Sequence, residues 1–180
     1  MTRPETAPSG RILIAGVGNV LRRDDGFGVT LADRLRHEDL PECVHVIESG
    51  IAGIALVQEL LAGYDAFLVL DVAMRDKPPG TLVMLEPRVP DAAGMTEMQR
   101  KEFFADMHQA EPSKAFMLAK ALGCLPPRVR ILVCEPADCD ELIPELSPAV
   151  AKALPNAVRL VRETVDEWLA DMKAADEVTV

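Results

Sequence analysis

The chain has 180 residues, 49% of them hydrophobic and 27% charged. That is enough for one globular domain with a single sizeable core, and too apolar for a disordered chain. Nineteen basic residues stand against twenty-nine acidic ones, a net charge of -10. The balance excludes a general attraction to nucleic-acid backbones or anionic membrane surfaces, and no Lys/Arg cluster marks a local basic groove.

No segment reaches the ~18–20 continuous apolar residues of a membrane helix. Residues 1–10 lack the apolar core of a signal peptide and are expected to form a disordered lead-in. A cytoplasmic protein is expected, with Cys43, Cys124, Cys134 and Cys139 as reduced thiols. Short apolar runs alternate with helical patterns, which predicts one α/β domain with a mainly parallel sheet over residues 11–172. Residues 173–180 are expected as a flexible tail.

The first strand is predicted over residues 11–17, followed by a helix over 26–40. A second strand over 44–48 leads to a helix over 53–61. The third strand, 65–73, is apolar on both faces, as a central strand should be. A fourth, 80–87, follows the turn KPPG, and an antiparallel edge position is open to it. After a helix over 113–123 comes the fifth strand, 128–136. A last helix is predicted over 148–172, with Ser147 as its cap. Residues 88–110 show no period, and long loops of that kind in compact domains tend to be functional.

The stretch GVGNVLRRDDGFGVT, residues 16–30, sits between the first strand and its helix. A dinucleotide fingerprint would need a third glycine where Leu21 stands, although Glu48 could mimic the acid that binds a ribose. Asp24 and Asp25 would compete with any pyrophosphate for the helix amides. Asp24 fits a helix N-cap, worth ~1 kcal/mol, and in that role Asp24→Asn should keep most function. Gly26 and Gly28 cost helix propensity in the first turns, so close approach of another backbone or of a ligand is expected there. Asp25 is then free to point at something cationic.

Asp71 interrupts an otherwise apolar strand, and ligands of open α/β sheets bind outside the carboxyl ends of strands. The turn holding Asp25 opens on that same edge if the strands are parallel. His108 lies in the aperiodic loop. His37 and His45 are expected to be ordinary surface or strand residues. Two carboxylates and an imidazole form a sparse ligand set for a divalent metal, one that should hold an ion loosely. Cys134 and Cys139 are spaced as half a zinc site without a matching pair, so buried thiols are expected. No serine or cysteine nucleophile presents itself.

GVGNVLRRDDGFG, LDVA around Asp71, and His108 with Gln109 come in the order seen in the hydrogenase maturation proteases, which the chain resembles from residue 11 to about residue 169. CEPAD (134–138) and LSPAV (147–151) are similar to the family as well. The resemblance implies a three-layer α/β/α fold, here with a five-stranded, mainly parallel sheet. It implies an endopeptidase that trims a short C-terminal peptide from the nickel-loaded precursor of a nickel-iron hydrogenase large subunit. It assigns Asp25, Asp71 and His108 to contact nickel and carry out catalysis, and Asn19 and Gly50 to hold substrate. The nickel comes with the precursor, so no tightly bound cofactor is expected, and a monomer is expected. Two departures touch the rim: Glu48, Ser49, Gly50 and Ile51 stand where the family usually has D-[GC]-G-T, and QAEPSKAF replaces a run of small residues after the histidine. Two other functions stay open, a dinucleotide-binding oxidoreductase subunit and a nickel metallochaperone without protease activity. Within the protease function, nickel-assisted and aspartic-type cleavage are both open.

Overall fold

The computed structural model describes residues 10–50, 53–90 and 112–178. Five strands form one sheet: β1 (Ile12–Val17), β2 (Val44–Gly50), β3 (Ala66–Val72), β4 (Leu82–Leu85) and β5 (Arg128–Cys134). Their order is β2-β1-β3-β5-β4. β1 pairs in parallel with β2 and β3, and β3 with β5, while β4 runs antiparallel along the outer side of β5. The helices are α1 (Phe27–Arg36), α2 (Gly53–Leu60), α3 (Pro112–Ala121) and α4 (Pro148–Val178).

Alternation along each strand builds the layers, because successive side chains leave a sheet on opposite faces. From β1 and β3, Ile12, Ile14, Leu68 and Leu70 pack with Phe27, Leu31 and Leu35 of α1 and Val161 and Trp168 of α4. Their neighbours Leu13, Ala15, Phe67 and Val69 pack with Leu56 and Leu60 of α2 and Phe116 and Ala119 of α3. The result is a three-layer α/β/α sandwich, and β1 and β3 read as continuous apolar runs because both of their faces are covered. Each fully buried Phe or Leu of this core contributes ~1.5–3 kcal/mol of hydrophobic free energy.

The elements agree with the predicted order, with shifts at their ends. α1 stops at Arg36, where the 26–40 pattern predicts four further residues of helix, because the chain turns at His37 and Glu38 toward Pro41. α4 continues past residue 172 to Val178. The β1–β2 register slips between Gly16 and Val17, so that Val17 lies opposite Gly50 and not Ser49. This irregularity stands at the carboxyl edge of the sheet, beside the glycine turn. Among the described residues no helix is long and apolar enough to cross a membrane.

Candidate functional site

At the end of β1 the chain turns through Gly18 and Asn19 into a 3-10 turn, Arg23–Gly26, which feeds directly into α1. Gly18 has φ of 120°, and a Cβ there would lie 1.9 Å from the Asp25 carbonyl oxygen. A Cβ on Gly28 would lie 2.1 Å from the Leu70 carbonyl oxygen. Of the two glycines where close approach was expected, Gly28 meets the protein's own backbone, drawing α1 onto β1 and β3, and a Cβ on Gly26 would lie 3.0 Å from the Val20 Cα. Asn19 holds the turn from within. Its Oδ1 accepts the Leu21 N–H at 3.0 Å, its carbonyl accepts the Arg22 N–H at 3.0 Å, and its own N–H donates to Asp25 Oδ2 at 3.1 Å. Gly50 lies alongside, its carbonyl accepting the Gly18 N–H at 3.1 Å.

The two adjacent acids part company. Asp24 is wholly buried and does not cap α1, whose N-cap position is Gly26 with no side-chain hydrogen bond. Its carboxylate instead accepts the N–H groups of Ala137, Asp138 and Ser147 at 2.8, 3.1 and 2.7 Å. The capping expectation fails because those distant amides outcompete the local first turn. Ser147 likewise departs from the predicted cap. Its carbonyl accepts the Ala151 N–H at 2.9 Å, but its hydroxyl is buried without a hydrogen-bond partner among the described residues. Asp25 is half-buried and close enough to Cys139 for its charge to raise that thiol.

Asp71 lies at the carboxyl end of β3, in register with Val133 of β5, and its Oδ1 accepts the Val72 N–H at 2.8 Å. Burial pushes its carboxyl up to about 6, the Val72 N–H opposes the shift, and the charge of Asp25 adds to it. The structure thus brings Asp25 and Asp71 into each other's field at one sheet edge. His108 lies outside the described residues, and so does Ile51 of the departing 48–51 stretch. A carboxyl titrating near 6 beside a second carboxylate can exchange a proton near neutral pH, and the pair can face a cation from one side.

The remaining residues fall to ordinary roles. Glu48 pairs with Arg36, so it is not poised for a ribose. His37 Nδ1 meets the Asp33 carbonyl and His45 Nδ1 the Tyr64 hydroxyl, both at 2.8 Å. All four cysteines are free. Burial raises the Cys134 thiol to about 12 and the Cys139 thiol to about 11, with nearby Asp24 and, for Cys139, Asp25 adding to the shift. Both stay protonated and are poor nucleophiles. Among the described residues no group of three or more His, Cys, Asp or Glu could hold a metal.

Sequence reasoning missed Glu135. This buried acid follows β5 and accepts the Arg75 N–H with both oxygens, at 3.0 and 2.9 Å, fastening the loop that leaves Asp71. Its signal was an acid directly after an apolar strand, the same signal that singled out Asp71. Apolar side chains also stand in water around this edge: Leu21 on the glycine turn, Met74 after β3, and Leu142 before α4. Leu142 follows Glu141, which pairs with Arg23.

The family model for hydrogenase maturation proteases matches residues 29–164, a span that includes Asp71 and His108 and begins just after the glycine turn. The hydrogenase expression/formation protein HupD of Rhodobacter capsulatus is 32% identical over 158 residues, which are 84% of this chain and 71% of that protein. The hydrogenase 2 maturation peptidase of a Thaumarchaeota archaeon superposes with a TM-score of 0.63 at 33% identity, over 87% of this chain and 98% of its own. The hydrogenase maturating endopeptidase HybD from E. coli superposes with a TM-score of 0.71 at 25% identity, over 87% of this chain and 93% of its own. With the fold, the order of its motifs and the family match in agreement, the chain belongs to the hydrogenase maturation protease family.

Proposed function

We propose that this chain is the endopeptidase that removes a short C-terminal peptide from the nickel-loaded precursor of a nickel-iron hydrogenase large subunit. The observation that carries the proposal is the pair Asp25 and Asp71 at one sheet edge, with Asp71 raised by burial and by its neighbour, in a chain of this family. The exposed Leu21, Met74 and Leu142 supply apolar surface for a protein substrate to cover. Asp25, Asp71 and His108 contact nickel that the precursor brings, and Asn19 and Gly50 border the bound segment. The enzyme needs no tightly bound cofactor of its own and works as a cytoplasmic monomer with one α/β protease domain.

In the cleavage step a water oxygen bonds to the scissile carbonyl carbon, and Asp71 takes the water proton in place of holding the metal. That proton reaches the leaving amine as the C–N bond breaks, with His108 either on the metal or, when off it, relaying the proton. Nickel brought by the precursor would supply Lewis acidity at that carbonyl, or would serve docking alone while the carboxylates activate the water. Since the chain's own ligand set is sparse, affinity depends on metal and protein surface arriving together, so cleavage reports correct loading. The test incubates the purified chain with nickel-free and nickel-loaded precursor and follows the mass of the large subunit. Shortening of the loaded form alone is expected. An intact loaded precursor, or tight nickel binding by the chain without cleavage, would refute the protease in favour of a metallochaperone.

A further inference from the structure

Asp24 takes no part in the site, yet it is bonded to Asp25 and is wholly buried. A carboxylate withdrawn from water is tolerated only where hydrogen bonds replace its hydration. Here all three donors are backbone amides of the segment between β5 and α4, 113, 114 and 123 residues further along the chain. The turn is tied back to the same segment by its own amides. The Arg23 N–H donates to the Ile143 carbonyl at 2.9 Å and the Asp24 N–H to the Asp138 carbonyl at 3.1 Å. Arg22 Nε donates to the Cys139 carbonyl at 3.0 Å, and Arg23 pairs with Glu141. Arg23 has φ of 43°, a left-handed conformation that a non-glycine residue keeps only when its surroundings hold it there.

Successive side chains of a 3-10 turn point about 120° apart, so fixing the direction of one fixes that of the next. Asp24 is held by residues 137–147, and Asp25 is held by the Asn19 N–H at 3.1 Å. We propose that Asp24 is a positioning residue, a latch that sets the direction of the Asp25 carboxylate and seats residues 137–147 beside it. The proposal rests on Asp25 being a site carboxylate. The latch requires two oxygens that only accept: Oδ2 takes Ala137 and Asp138, and Oδ1 takes Ser147. Asparagine has the same shape, but whichever way its amide turns, an NH₂ donor meets a backbone N–H. Asp24→Asn, harmless at a helix cap, is disruptive here.

The experiment makes Asp24→Asn in the full chain and works well below the variant's thermal midpoint. Cleavage of nickel-loaded large-subunit precursor should lose about tenfold to a hundredfold in kcat, with KM held within about twofold, the pattern of a misplaced catalytic group. The Asn19 amide resonance should move and lose exchange protection, because it reports the hydrogen bond to Asp25, while buried Leu13 and Val69 in the sheet keep theirs. A lowered midpoint with an unmoved Asn19 resonance and an unchanged rate per folded molecule would overturn the latch. Should the variant not fold, the unaltered chain decides: its Ala137, Asp138 and Ser147 amides should exchange as slowly as those of β1, and fast exchange overturns the proposal. If the unaltered chain leaves the loaded precursor uncut, the protease function falls, while the Asn19 resonance and the three amides still judge the latch.

Discussion

Strand β3 meets an aspartate at each end, and the two are treated differently. Just before it, Asp65 Oδ2 accepts the N–H groups of Gly10 and Arg11 at 2.8 and 2.9 Å. Around it, Arg11 donates to the carbonyls of Ala62 and Gly63 at 2.7 and 2.9 Å and lies 4.5 Å over the Tyr64 ring. At the far end Asp71 accepts the Val72 N–H and sits in the field of another carboxylate. One end satisfies its acid and closes the sheet. The other buries its acid and leaves it in the field of a second carboxylate, a cost to the fold.

Replacing the acid at the costly end should break the comparison most sharply. Asp71→Asn, and equally Asp25→Asn, should lower precursor processing by ~10³-fold or more, read from the mass of the large subunit. Asp71→Asn should at the same time stabilise the fold. Asp71 binds its proton more tightly folded than unfolded, about 6 against 3.8, so ionising it costs the folded state. Below pH 3.8 it is neutral in both states and has no effect. Through the window from 3.8 to about 6 stability falls as pH rises, and above it the full cost remains, about 3 kcal/mol. Urea titrations at pH 4 and pH 7.5 should show that loss in the unaltered chain and its absence in Asp71→Asn; an equal slope in both would contradict the account.

At the satisfied end the signs reverse. Asp65→Ala leaves two amides without their acceptor and should cost about 1–3 kcal/mol in urea unfolding, with cleavage per folded molecule unchanged. Smaller still is the rim. Met74→Ser and Leu142→Ser replace side chains 85% and 81% exposed, so stability should stay within about 0.5 kcal/mol. Each should raise KM for the loaded precursor by about threefold to tenfold, since burying such a side chain against substrate contributes about 1 kcal/mol. Unchanged KM in both variants would remove the rim from the docking surface.

Much of this was legible in the residues. The paired alternation of Ile12 to Ala15 and Phe67 to Leu70 announced strands covered on both faces, since only helices on either side of a sheet can bury every position. Asp71 stood out as one acid in an apolar run. Its elevated proton affinity was not legible, because that depends on how near Asp25 folds and how much water is excluded. His108 was singled out in the aperiodic loop and took its role from the resemblance; it lies outside the described residues, so its place beside the acids stays part of the proposed function.

Asp24 marks where local reading stops. An acid ahead of a helix is a cap by every rule that looks a few residues along the chain. Its partners come from residues 137–147, and nothing within its own turn signals them. Sequence alone determined the strands, the mainly parallel sheet and Asp71 as an acid out of place, because periodicity and hydrophobicity act over short spans. The tertiary structure decided which of two adjacent carboxylates is buried as a tie and which is turned to the edge. Hydrogen bonds between chain segments more than a hundred residues apart exist only once the sheet has brought those segments together.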